Sequence, residues 1–82
     1  MKKEHIIQLG NGRTKTIHYY ENGKISREHY YLNGEPHRED GPADIWYYGD
    51  GTIEREEYCL NGKKLTKKQF EDHLFKKKLE LL

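Results

Sequence analysis

Five histidines, His5, His18, His29, His37 and His73, and the lone Cys59 are the side chains of this 82-residue sequence that commonly ligate metals or move protons near neutral pH. A helix-borne metal site wants histidines four residues apart, and a ribbon-type site wants Cys-x-x-Cys; neither spacing occurs. No metal and no other cofactor is expected. A second cluster is the run His37-Arg38-Glu39-Asp40-Gly41-Pro42, in which His37 and Asp40 could act as a general acid–base pair. The same residues also suit turn chemistry, because Asp40 before Gly41-Pro42 can accept backbone N–H bonds and Arg38 can fork onto a carboxylate. The run is therefore read as a structural connector. No catalytic residue is assigned, and the chain is not expected to be an enzyme.

A third group is aromatic: Tyr19-Tyr20, Tyr30-Tyr31 and Trp46-Tyr47-Tyr48. Stacked bases could use such side chains. On a strand, however, consecutive side chains point to opposite faces, so one of each pair can enter a core while the other stays outside. Tyrosine and tryptophan held on a rigid sheet make good protein-binding anchors, since they offer large contact area for little lost entropy. Tyr20, Tyr31, Trp46 and Tyr48 are the candidate partner contacts, with the neighbouring acids Glu54, Glu56 and Glu57.

These groups sit in a repeat. Residues 17–35 align without gaps on residues 45–63, at an offset of 28, with 11 of 19 pairs identical. The identities include Ile17/Ile45, Tyr20/Tyr48, Gly23/Gly51, Asn33/Asn61 and Gly34/Gly62. His18 aligns with Trp46 and His29 with Glu57, so the repeat does not keep histidines as ligands. Cys59 stands where the preceding unit has Tyr31 and reads as a plain strand residue.

Asn-Gly or Asp-Gly pairs punctuate the chain at residues 11–12, 22–23, 33–34, 50–51 and 61–62. Asn and Asp tolerate positive φ and Gly adopts it freely, as tight hairpin turns require. Strands are expected near 4–9, 14–20, 25–32, 43–48 and 53–60. The stretch 35–42 holds both prolines and cannot be an interior strand, because proline donates no ladder hydrogen bond. After Leu65 the pattern becomes helical: Thr66 and Gln69 form a capping box, and no Gly or Pro follows. Phe70, Leu74 and Leu81 make a stripe expected to pack on the sheet. Phe75, Leu79 and Leu82 make a second stripe, expected to meet a second copy or a partner.

The composition limits the core. Only 33% of residues are apolar and 35% are charged, with seven Tyr, no Val and one Ala, so the core should draw on Tyr, Ile, Leu and Trp46. The longest apolar stretch near the start is Ile6-Ile7, so neither a signal peptide nor a membrane span is expected. One cysteine suits a reducing compartment, and a cytoplasmic location is expected. Net charge is +1, but residues 36–62 alone carry −5 (two Lys/Arg against seven acids) while residues 63–82 carry +4 (seven against three). A uniformly basic nucleic-acid footprint is absent.

The run Tyr30-Tyr31-Leu32-Asn33-Gly34-Glu35-Pro36-His37-Arg38-Glu39-Asp40-Gly41-Pro42-Ala43 resembles the "YLNGxxHREDGPA" repeat, a MORN-like β-hairpin unit of phage, giant-virus and bacterial proteins. Residues 58–66 followed by a Lys-rich helix are similar to the way such arrays end. The resemblance covers about residues 17–75. It implies a mainly β chain: an antiparallel meander of MORN-like hairpins over about 4–63 with a C-terminal capping helix over about 66–81; by its length the chain is expected to form a single domain over 1–82. With the charge pattern it suggests a small non-enzymatic protein-binding module. The expected role is a phage- or mobile-element-encoded inhibitor that occludes a basic host defence or nucleic-acid enzyme in the host cytoplasm. Single-stranded nucleic-acid binding through tyrosines and the basic helix is one alternative, and a structural or assembly module that dimerises through the helix is another.

Overall fold

Three Asn-Gly pairs bend the chain first. Asn11, Asn33 and Asn61 sit at φ 56°, 50° and 50°, and each is followed by a glycine with φ between 78° and 84°, the two-residue I′ pattern that matches the twist of flanking strands. Two wider turns, at residues 20–24 and 48–52, keep Asn22 and Asp50 at negative φ and spend positive φ only on the following glycine. The computed structural model describes residues 3–81. Among them are seven strands, β1 (Glu4–Gly10), β2 (Arg13–Tyr19), β3 (Ile25–Leu32), β4 (Glu35–Pro36), β5 (Asp44–Tyr47), β6 (Ile53–Leu60) and β7 (Lys63–Leu65), and one helix, α1 (Lys67–Glu80). The strands form one antiparallel sheet in the order β1-β2-β3-β5-β6-β7, with β4 also on β3. The five expected strands are present within a residue or two, and the result is elongated, 47 × 26 × 21 Å.

The connector corrects one expectation. Glu35 and Pro36 do form a short strand inside the sheet, paired with Leu32 and Tyr31, and the Pro36 carbonyl accepts from the Gly62 amide. Proline is tolerated there because its carbonyl, not an N–H, faces the next turn. The ladder continues past the connector: Tyr30 accepts from the His37 amide and donates to the Ala43 carbonyl, after which Asp44 pairs with His29. β4 and β5 are thus one strand, interrupted by a loop pinched off at Tyr30. Asn11 and Asn33 are 22 residues apart, and Asn33 and Asn61 are 28 apart. The difference, six residues, equals the length of His37–Pro42, so the connector is an insertion into a strand that runs unbroken in the first hairpin as β2.

The core is small. Among the described residues Ile17, Ala43, Ile45, Cys59 and Phe70 are buried, with Thr16 the one buried polar residue. Trp46 and the tyrosines, expected inside, are at most half-buried, because a single-layer sheet is covered only where α1 lies on β6 and β7. The Cys59 thiol has its pKa pushed up by burial, as suits a strand residue without reactivity.

The helix begins as expected: Thr66 accepts from the Gln69 amide and the Gln69 side chain returns to the Thr66 amide. Phe70 is 2% exposed and its ring lies 4.8 Å from that of Tyr58. Leu74 is half-buried, but Leu81, expected on the same packed stripe, is 85% exposed. The helix docks through its first turns only, so its last turn has no sheet beneath it. Phe75 and Leu79 are exposed, and Leu82 lies outside the described residues.

Candidate functional site

The two wide turns lie side by side at one end of the sheet and are tied to each other. The Tyr20 hydroxyl donates to the Tyr47 carbonyl, Asn22 Nδ2 to the Gly49 carbonyl at 3.3 Å and Lys24 Nζ to the Asp50 carbonyl at 3.5 Å. Each turn is also locked within itself. Asn22 Oδ1 accepts from the Lys24 amide, and Asp50 Oδ1 accepts from both the amide and the hydroxyl of Thr52, which holds the Asp50 carboxyl below its ordinary range. The repeat-equivalent tyrosines emerge from this frame, Tyr20 at 38% exposure and Tyr48 at 51%, with Ile53 exposed beside them.

Next to the turns is an open depression of about 600 Å³, whose lining includes Tyr20, Trp46 and the carboxylates of Glu4, Glu21 and Glu54. Its one cation, Arg27, is already engaged: Nε and Nη2 grip Asp44 at 2.9 and 2.6 Å, a bidentate fork. The guanidinium groups of Arg27 and Arg55 lie 4.7 and 4.2 Å from the Trp46 ring, so this indole is bracketed by the protein's own cations. The depression therefore presents three carboxylates around aromatic carbon, with Glu4 facing His18 and Arg27 taken up by Asp44.

The register separates the three acids assigned from sequence. Glu56 pairs with Ile45 on one face and Glu57 with Asp44 on the other, while Glu54 sits in the bulge between the Trp46–Arg55 and Tyr47–Ile53 pairs and lines the depression with Trp46. Glu57 is held by Lys64 at 3.0 Å and Arg55 at 3.5 Å, and Glu56 accepts from the Tyr58 hydroxyl. Tyr20, Tyr48, Trp46 and Glu54 are gathered at the turn end. Tyr31 is half-buried with its hydroxyl 2.7 Å from His29 Nδ1, and Phe75 and Leu79 stand apart on the helix.

In the connector, Arg38 Nε binds Asp40 at 2.8 Å, its Nη1 donates to the Pro42 carbonyl, and its guanidinium covers the Tyr30 ring at 4.2 Å. His37 Nδ1 accepts from the Asn61 amide, and Glu39 reaches Lys77 of the helix at 3.1 Å. Arg38 holds Asp40, and Lys77 holds Glu39, below the ordinary carboxylate range. Asp40 is thus committed to Arg38 and not to His37, and the connector links sheet, loop and helix. Nearby, Glu28 takes Lys15 at 3.3 Å and the Tyr47 hydroxyl at 2.8 Å; burial and that carboxylate push the Tyr47 pKa up to about 12.

One constellation escaped the sequence reading. Glu4, His18, His29 and Tyr31, from β1, β2 and β3, form a continuous polar chain. Alternation put His29 and Tyr31 on one face, and a turn at residues 20–24 puts His18 opposite Arg27, but the bulge beside Tyr19 that sets this register has no clear sequence mark. Among the described residues no three metal-ligating side chains converge, and no helix is long and apolar enough to cross a membrane. Compared with protein-family models, curated proteins and solved structures, the chain matches none.

Proposed function

We propose that this chain is a small non-enzymatic protein-binding module, built of MORN-like hairpins, that engages a basic partner through its turn end. The observation that carries this reading is the pair of repeat-equivalent tyrosines, Tyr20 and Tyr48, held exposed on mutually bonded turns beside a depression rimmed by Glu4, Glu21 and Glu54. Pre-ordered aromatic side chains lose little entropy on binding, and surrounding carboxylates steer a positively charged surface toward them. A nucleic-acid enzyme of a host cell, with its basic cleft, has that surface. The finer proposal is accordingly an inhibitor of the kind mobile elements encode, occupying such a cleft from the cytoplasm.

A second reading, an assembly module, is favoured by the exposure of Phe75, Leu79 and Leu81 on the helix. Capture with immobilised full chain separates the readings. Wild type is expected to retain basic proteins that Tyr20→Ser/Tyr48→Ser loses while Phe75→Lys/Leu79→Lys keeps them. The converse pattern moves the contact to the helix, and direct retention of a single-stranded oligonucleotide at physiological salt replaces the proposal by nucleic-acid binding.

A further inference from the structure

We propose that His18 and His29 form a proton-operated clasp between β2 and β3, closed while their Nε2 atoms share one proton and opened when both imidazoles are charged. Their Nε2 atoms are 2.9 Å apart. The ring centroids are 5.1 Å apart and the planes differ by only 14°. With the nitrogens so close and the centroids so far, the rings meet edge to edge in nearly one plane, so one N–H points straight at the other ring's lone pair. Two imidazole nitrogens in that geometry share one proton; they cannot accommodate two.

The neighbours choose which ring donates. Glu4 Oε2 lies 3.9 Å from His18 Nδ1, and a carboxylate facing that nitrogen favours Nδ1–H over a lone pair. His18 Nε2 is then the acceptor, so His29 donates from Nε2 and its Nδ1 accepts the Tyr31 hydroxyl proton at 2.7 Å. The hydrogen bonds run in one direction, Tyr31 to His29 to His18, and His18 Nδ1 faces the Glu4 carboxylate. One added proton leaves the pair bonded, because the Tyr31 hydroxyl can turn and accept from His29 Nδ1 while the imidazolium still donates to its neighbour; a second puts two N–H groups head to head.

The surroundings set where this happens. From β3, Arg27 faces the pair; from β1, Glu4; from β5, Asp44, already gripped by Arg27; and beyond it on β6, Glu57, held by Lys64 and Arg55. Burial first, then the Arg27 charge, lowers the His29 pKa from its ordinary 6.5, outweighing the opposing pull of Asp44 and Glu4. A histidine whose folded pKa is depressed contributes stability that is complete above its unfolded pKa and is lost as pH falls through 6.5 toward the folded value. The unfolding constant should therefore rise with acid in that window, by up to about tenfold per pH unit.

The test is ring ¹⁵N NMR of the full-length protein from pH 7.5 to 4.5, with urea melts at each end. The clasp predicts the Nδ1–H tautomer on His18, the Nε2–H tautomer on His29, and a His29 midpoint below that of an ordinary histidine. It also expects the acid loss of stability in wild type to shrink in His29→Gln. The same tautomer on both rings, or a His29 midpoint at or above 6.5, overturns the clasp. Because the NMR readouts use wild type, failure of the variant to fold leaves the test intact.

Discussion

Replacing Phe70 by Ala should remove about 3–5 kcal/mol of stability, the usual cost of deleting a buried phenylalanine. Phe70 is the one buried residue of α1, and its ring meets Tyr58 at 4.8 Å. Everything else joining helix to sheet is partial: half-buried Leu74, half-buried Leu65 before the cap, and the Glu39–Lys77 ion pair at half-exposed positions. An exposed ion pair contributes about 0–1 kcal/mol and cannot hold the helix alone. A 14-residue segment with so much lysine is also marginal as a free helix. The loss should thus appear as undocking and melting of α1, seen by circular dichroism at 222 nm, before the sheet fails. Each kcal/mol shifts the melting point of a domain this small by roughly 4–8 °C. Conservative Phe70→Leu should retain much of the stability, and Lys77→Ala should cost little. An unchanged melt for Phe70→Ala would mean that the helix does not stabilise the sheet.

The second large effect belongs to the turns. Gly34 at φ 84° closes a two-residue turn and Gly51 at φ 94° closes a wide one, and neither has a neighbour within 4 Å of where a Cβ would go. Substitution at these two positions therefore reports backbone strain free of steric clash. A β-branched residue held at positive φ costs about 1–3 kcal/mol. Gly34→Val and Gly51→Val should each lose that much, while Gly34→Asn, which tolerates the left-handed region, should lose far less. Gly62→Val should lose more than Gly34→Val, since a Cβ there would come within 3.1 Å of the Glu35 carboxylate. Equal melts for the Asn and Val variants at position 34 would remove positive φ as the cause.

How much of this was legible in the sequence follows from what each feature depends on. The hairpins were readable because an Asn-Gly pair is a local instruction: residues 11, 33 and 61 adopt positive φ for reasons confined to two residues. The capping box of Thr66 and Gln69 is equally local. Burial was less legible. Trp46 is the largest side chain, and it lies half-buried between Arg27 and Arg55 because the strands place those residues directly opposite it. The acids divide between faces for a related reason, since Glu56 and Glu57 are adjacent in sequence and so point opposite ways. The histidine pair was invisible because it depends on a one-residue shift between His18 and Tyr19, which the turn's hydrogen bonds decide and composition does not.

The most direct measurement of the central claim is the association rate with the captured basic partner, by surface plasmon resonance across a salt series. Glu21→Lys/Glu54→Lys is compared with Glu71→Lys/Glu80→Lys, which changes net charge equally on the exposed face of the helix. If the turn end is the contact, the first variant should associate several-fold more slowly, the second should match wild type, and the wild-type rate should fall as salt screens the attraction. Rates indifferent to salt, or slowed equally by both variants, would contradict a binding surface at Tyr20, Tyr48 and Glu54.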